Sequence, residues 1–374
     1  VLGVNIFNLI RKKNKVKIII VGDMNFFPVF LRLMPLLIIL IKKRRLTLKK
    51  VYTLFLNFLY GYILRSNNRG AYPSIMMIEP TNICNLKCSF CALQMEGGVS
   101  KEEKRKSIDI DLYKKVIDEV KDHLIFLFLY YGGEPFLHKN IFELVKYASS
   151  KNVSVIIATN GAFTHIENFG EKISEADLDV MIVSISGTTQ DIYGKYHKGG
   201  KIEDVAQNVR SVTRLKNWRK PRLILRFIAT SENKEDAKNL STFSSSLNAD
   251  TCEVRHVDGQ PVLADELEKH SDPTRSRQCF WLWGALVMKS SGSVIPCCYD
   301  YYGVPEIGNL QEDKLSAVWD SKKIRDFREK YIKSPENLDC CTQCNSNTGF
   351  QDDASKGKSS ILIRKERIKN LNEA

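Results

Sequence analysis

The chain has 374 residues, 43% of them apolar, and ten cysteines; that length supports a sizeable core and more than one domain, while the thiols are too sparse for a disulfide-stapled scaffold. Its formal charge of +13 sits in one place: residues 1–71 carry fourteen Lys or Arg against Asp23 alone, and residues 72–374 balance 42 bases with 42 acids. A basic, nucleic-acid-binding body is excluded, and no nucleic-acid partner is expected.

The N-terminus lacks a basic stretch followed by one short apolar run and a small-residue cleavage site, so a cytoplasmic-side, reducing location is expected. Residues 1–72 read as a basic, hydrophobic segment that lies on a membrane surface or packs on the body. A spanning helix needs about 20 largely uncharged apolar residues. The run 26–41 has 16, contains Arg32 and is broken by Pro28 and Pro35. The run 51–64 places Thr53, Asn57 and Gly61 four residues apart on one narrow stripe, the pattern of a helix in mostly apolar surroundings with one wet edge. Lys42, Lys43, Arg44, Arg45, Lys49 and Lys50 flank it, and each gains about 1 kcal/mol near anionic lipid. An anionic membrane surface is therefore one expected partner, with the chain peripheral on the inner face; packing on the body or in a dimer is the alternative.

From residue 73 onward apolar strands alternate with amphipathic helices. The predicted strands are 74–80, 125–132, 153–161, 180–186, 223–230 and 252–258, and the predicted helices 111–124, 141–152, 202–216 and 234–248. Nearly continuous apolar strands separated by helices imply an α/β chain with a parallel sheet. Six units are too few to close an eight-unit barrel, so residues 73–260 are expected to form an open, partial (β/α)6 TIM-type barrel, with reactive residues at the C-terminal ends of its strands. "EPTNICNLKCSFC" (79–91) follows the first strand and crowds Cys84, Cys88 and Cys91 into eight residues. Three thiolates can bind three irons of a [4Fe–4S] cube and leave the fourth open; a zinc knuckle lacking its fourth ligand is the alternative.

The spacing C-x3-C-x2-C after a first strand, with "GGEP" (132–135) after the second, is similar to the radical S-adenosylmethionine (SAM) superfamily over roughly residues 73–260. The resemblance implies that SAM occupies the open iron and is cleaved reductively to a 5′-deoxyadenosyl radical, which abstracts a substrate hydrogen atom. It assigns Phe90 to the neighbourhood of the adenine, and Gly132, Gly133 and Glu134 to SAM's amino group. Thr159, Asn160, Ser184, Ser186 and Arg226 are its remaining cofactor contacts, although Ser186 stands where many relatives have an acid, and Arg226 reads equally as half of an ion pair.

Residues 279–346 read as a β-hairpin and a helix over 313–332, bracketed by cysteines, and 347–374 as a polar tail. Cys279 and Cys297, then Cys341 and Cys344, with Trp319 between, resemble the SPASM or twitch extensions of radical SAM enzymes. Four thiolates seal a second [4Fe–4S] cluster, which can accept an electron but not bind SAM. Cys298 and Cys340 adjoin these ligands and can replace them, and a tetrathiolate zinc site is compatible with the spacing. Cys252 reads as a small core residue. A nearby electron acceptor suits oxidation of a substrate radical, so the expected function is modification of a sugar, cyclitol or lipid-linked glycan, with flavodoxin or ferredoxin as reductant. A peptide-modifying maturase and a non-catalytic metal-binding module are the alternatives.

Overall fold

The computed structural model describes residues 39–68, 72–89, 91, 106–215, 221–230, 232–256, 279, 281–298 and 305–342, with two-residue strands at 11–12, 15–16 and 362–363. Six parallel strands appear where the apolar runs place them: β1 (Ile75–Ile78), β2 (Phe126–Phe128), β3 (Ser154–Thr159), β4 (Val180–Ile185), β5 (Arg222–Ala229) and β6 (Thr251–His256). They pair in chain order, each with the next, and the sheet stays open, as expected of a partial barrel. In β5 the alternation is complete: Leu223, Leu225, Phe227 and Ala229 are buried in the core shared with the helices. Ile224 on the opposite, concave face packs with Ile156, Val180 and Ile182. In register above this apolar layer come Ser184, Arg226 and Glu253.

The expected helices are α2 (Ile110–Val120), α3 (Ile141–Ser150), α6 (Ile202–Thr213) and, after a 3-10 turn at Asp236–Asn239, α7 (Leu240–Ser246). Two more, α4 (Phe169–Glu175) and α5 (Gln190–Tyr196), were not predicted. Each has seven residues and an internal glycine, too little sequence to display a 3.6-residue period.

After the one-turn helix α8 (Trp281–Gly284), the hairpin of β7 (Ala285–Met288) and β8 (Ser293–Ile295) turns at Gly292, whose φ of 86° suits glycine. β7 also pairs parallel with β1, Ile75 opposite Ala285 and Ile78 opposite Met288. Barrel and C-terminal region thus share one ten-stranded sheet, bounded by β9 (Gly308–Asn309) and by Leu362–Ile363, which pairs antiparallel with β6. The single helix expected at 313–332 is two, α9 (Leu315–Trp319) and α10 (Lys322–Lys333). The break falls at Ser321, whose hydroxyl caps α10 by accepting from the Ile324 N–H.

The N-terminal helix α1 (Leu48–Phe58), capped by Thr47 and extended by a π-turn at Leu59–Ile63, lies across the floor of the barrel. Its polar stripe is the dry inner edge rather than the wet one expected from the sequence. Lys50 Nζ donates to the carbonyl of Asn152 (2.5 Å), Thr53 Oγ1 meets His123 Nδ1 (2.8 Å), and Asn57 Nδ2 donates to the carbonyl of Tyr72 (3.1 Å). Gly61 is buried against Trp283, where a Cβ would come within 3.0 Å. Just before the helix, Lys43 and Arg45 both pair with Asp177 and Asp179 at 2.6–2.9 Å. Lys43, Arg45 and Lys50, expected among the lipid-facing bases, are therefore committed to the barrel. The apolar side of α1 and its π-turn points outward: Leu48 is 89% exposed, Tyr52 60%, Phe55 56% and Ile63 62%. Among the described residues no helix is long and apolar enough to cross a membrane.

Candidate active site

Cys84, Cys88 and Cys91 sit half-buried on the loop that leaves the C-terminal end of β1. Burial pushes Cys84 up to about 11 and Cys88 up to about 12; neighbouring negative charge adds to this, from Glu134 and Cys91 on Cys84, and from Cys91 and Cys84 on Cys88. Three thiolates cannot share so dry a site without a compensating cation, so the donor chemistry suits an iron–sulfur cluster, although among the described residues no three such side chains are gathered as closely as a single metal ion requires. The loop is prepared to hold charged sulfur: the Leu86 N–H donates to Cys84 Sγ at 3.4 Å, and Asn160 Nδ2 approaches it at 3.8 Å.

The GGEP segment closes on this loop through backbone. The Glu134 N–H donates to the carbonyl of Ile83 (2.8 Å), and a Cβ on Gly133 would lie 2.3 Å from the Thr81 oxygen and 2.5 Å from that of Ile83. Glu134 itself is 2% exposed. Its carboxylate accepts from Thr159 Oγ1 (2.7 Å) and from the N–H groups of Asn160 (2.8 Å) and Phe136 (3.1 Å), and burial raises it to about 7. Three protein donors hold it inward, where it ties the loop after β2 to the end of β3. Thr159 is buried with it, and Asn160 is partly open and reaches Asn85 Oδ1 (3.0 Å).

Two residues of the site carry no motif. Glu79, 3% exposed at the end of β1, accepts from the Gly132 N–H (3.1 Å) and from both the N–H (3.0 Å) and hydroxyl (2.8 Å) of Ser290. One carboxylate thus joins the cysteine loop, the GGEP segment and the turn between β7 and β8. The only sequence signal is an acid directly after an apolar strand. His197, 3% exposed, lies between Cys88 and Ser186, and burial pulls it down to about 4, leaving a neutral ring at neutral pH. Ser186 is fully buried with its hydroxyl on His197, so the structure places it behind the cysteine loop rather than on the concave face. Ser184 is on that face, beside Arg226. Arg226 Nε pairs with Glu253 Oε1 at 2.5 Å, the ion-pair reading of that residue. Phe90 lies outside the described residues.

The second cysteine group is gathered as well. Cys279, Cys297, Cys298, Cys340 and Cys341 belong to one apolar cluster with Trp281, Trp283 and Tyr331. Cys341 is pushed up by its hydrogen bond with Cys340 (Sγ–Sγ 3.8 Å), by burial and by the charges of Cys340, Cys279 and Cys297, so these four thiols compete for one site and fit a cation-bearing cluster. Cys344 lies outside the described residues. Phe128, Tyr130 and Tyr131, which lead into Gly132, pack in the same cluster. Cys252 is buried in the barrel core.

Comparison with known proteins agrees with this arrangement. The family model described as the radical SAM superfamily matches residues 78–243, and that described as an iron–sulfur cluster-binding domain, SPASM, matches residues 279–345. The tungsten-containing aldehyde ferredoxin oxidoreductase cofactor-modifying protein of Pyrococcus furiosus is 22% identical over 318 residues, which cover 72% of this chain and 86% of that protein. A GTP 3′,8-cyclase of Alkaliphilus metalliredigens is 26% identical over 144 residues, 37% of this chain and 43% of that enzyme, so the chain spans less than half of it. Among solved structures, Streptococcus suis SuiB bound to S-adenosylmethionine has a TM-score of 0.55 at 15% identity, covering 74% of this chain and 72% of that one, a likeness of fold. With both family models matched in order, the chain belongs to the radical SAM superfamily, as an enzyme with a C-terminal SPASM domain whose cofactors are SAM and [4Fe–4S] clusters.

Proposed function

We propose that this enzyme oxidises a hydroxylated small molecule, a sugar or cyclitol, with its second cluster as the electron acceptor. The observation that carries the reading is that Phe128, Tyr130 and Tyr131, which lead in sequence into the GGEP segment, pack in the same cluster as Cys279, Cys297 and Cys341. Cys84, Cys88 and Cys91 would hold the cluster that, with SAM bound, would supply hydrogen-atom abstraction, and Cys279, Cys297, Cys341 and Cys344 would hold a sealed cluster able to take up the second electron. Removal of one hydrogen atom, one proton and one electron takes an alcohol to a carbonyl. Ser184, Arg226 and Glu253 form the polar layer of the concave face and suit hydroxyl groups. A flavodoxin or ferredoxin is the proposed reductant. A lipid-linked glycan is not part of this reading, because the greasy head lies on the barrel floor, away from the mouth.

Replacing Cys341 by Ala together with the adjoining Cys340, which could otherwise take its place, tests the electron acceptor. Iron content should fall by about one cluster, 5′-deoxyadenosine should still form in the absence of substrate, and turnover should stop. Zinc bound by these thiols in anaerobically prepared protein would end the electron-transfer role. Stimulation of 5′-deoxyadenosine formation by a peptide fraction, and not by sugars or cyclitols, would favour the maturase instead.

A second reading concerns location. The exposed large hydrophobics of the described residues all lie between Ile41 and Leu64, and Lys42, Arg44, Lys49 and Arg65 are exposed among them. An apolar face ringed by bases is complementary to an anionic bilayer surface, and we propose that the chain docks there by its floor. Deleting the head would also remove the ion pairs of Lys43 and Arg45, so substitution is the cleaner test. Tyr52→Ser, Phe55→Ser and Ile63→Ser combined should abolish co-sedimentation with anionic vesicles and leave SAM cleavage intact. If the variant and the parent partition alike, the face is not a lipid anchor; a change from dimer to monomer instead would assign it to a second copy.

A further inference from the structure

His197 occupies a place that the family pattern does not explain. It follows α5, and its ring stacks on Tyr193 with centroids 4.6 Å apart and planes inclined by 14°. Nδ1 lies 3.4 Å from Cys88 Sγ, and Nε2 lies 3.2 Å from Ser186 Oγ. The cysteine loop is laid along the same segment: the Lys87 N–H donates to the Lys198 carbonyl and the Ser89 N–H to that of Tyr196, both at 3.0 Å. Backbone bonds on both sides therefore fix Cys88 against this ring. Ser186 is fixed in turn, since its carbonyl accepts from Asn233 Nδ2 at 2.9 Å and Asn233 is 2% exposed. Histidine, serine and asparagine are thus buried in one line that ends at a cluster ligand.

We propose that His197 is a positioning residue for the SAM-binding cluster: it donates Nδ1–H to the Cys88 thiolate, in the tautomer that the Ser186 hydroxyl selects by donating to Nε2, and so raises the cluster's reduction potential. A neutral imidazole has one N–H, and the partner of one ring nitrogen decides which nitrogen carries it. An N–H bonded to a cluster sulfur stabilises the reduced form, which carries the extra negative charge, and such bonds are among the factors that set iron–sulfur potentials. Serine at 186 then has a function that an acid there would perform differently: a carboxylate accepts the Nε2 proton and leaves Nδ1 with a lone pair facing the thiolate.

The test is an anaerobic redox titration of the reconstituted enzyme, followed by the electron paramagnetic resonance signal that responds to added SAM. His197→Phe should keep its iron and shift the reduced-to-oxidised ratio of that cluster at least about tenfold toward oxidised at fixed potential, which is about 59 mV lower for a one-electron couple. The SAM-insensitive signal should not move. His197→Gln retains an N–H and should recover most of the shift, and Ser186→Ala should move part of the way in the same direction. Parent potentials in all three loaded variants would overturn the proposal. Equal loss of iron in all three would overturn it too, because His197 would then only hold the loop in place.

Discussion

Alanine at any one of Cys84, Cys88 or Cys91 should reduce 5′-deoxyadenosine formation to the level of a no-enzyme control. The three thiols lie on one loop, and burial and mutual charge raise both Cys84 and Cys88. The raised thiols stay protonated in the metal-free protein, and holding all three as thiolates requires the compensating charge of a bound cluster. Two thiolates cannot retain a cluster that also keeps one iron open for SAM, so the effect is a loss rather than a fractional decrease. The thiols are half-buried, so the barrel should remain folded, and circular dichroism with iron analysis would separate loss of the cluster from loss of the fold. Cys252→Ala is the matched control: it removes a buried thiol from the core and should lower stability while sparing SAM cleavage. A triple alanine variant that still made 5′-deoxyadenosine would defeat the assignment of this loop.

Gly133→Ala should weaken SAM binding about 10- to 100-fold. The added methyl would meet backbone oxygens of Thr81 and Ile83 at 2.3 and 2.5 Å and the Asn82 carbonyl carbon at 2.8 Å, none of which can rotate aside. The GGEP segment must then lift from the cysteine loop, and the Glu134 N–H to Ile83 and Gly132 N–H to Glu79 bonds lengthen together. Overpacking of this kind costs about 1–3 kcal/mol, and each buried hydrogen bond broken on one side costs a similar amount. Equilibrium binding of SAM to the reconstituted variant is the measurement. Gly194→Ala, which faces only the side-chain nitrogen of Gln190 at 3.3 Å, should bind normally. Unchanged affinity in Gly133→Ala would mean that SAM does not dock on this segment.

The strands and the two cysteine groups were legible because their signals are local. A strand buried on both faces is an apolar run whatever lies beside it, and ligand spacing within a loop survives without tertiary information. Three other features depend on partners distant in sequence. The stripe of Thr53, Asn57 and Gly61 could be read, but its direction could not: a polar stripe faces water unless a buried partner such as His123 or Tyr72 receives it. Lys43 and Arg45 look like lipid-facing bases until Asp177 and Asp179 are brought beneath them. His197 has no spacing relative to Cys88 that a motif could record; the contact spans 109 residues and depends on the unpredicted helix α5. Ser186 was placed at the right strand end, but the residue at its side, and hence its task, belongs to the fold.

The pairing of β1 with β7 carries a consequence for biogenesis. Ser74 and Gly284, bonded at the base of that joint, are 210 residues apart, and Glu79 and Ser290 lock its other end across 211. As the polypeptide leaves the ribosome, β1 acquires β2 early, but its other edge keeps unpaired N–H and C=O groups until the strand some 210 residues later has emerged. Such an edge invites intermolecular pairing while it waits, and contacts so distant in sequence form slowly. The nascent barrel therefore stays open to aggregation until its C-terminal hairpin arrives to close the sheet, and chaperone dependence and yield should be governed by residues 285–295.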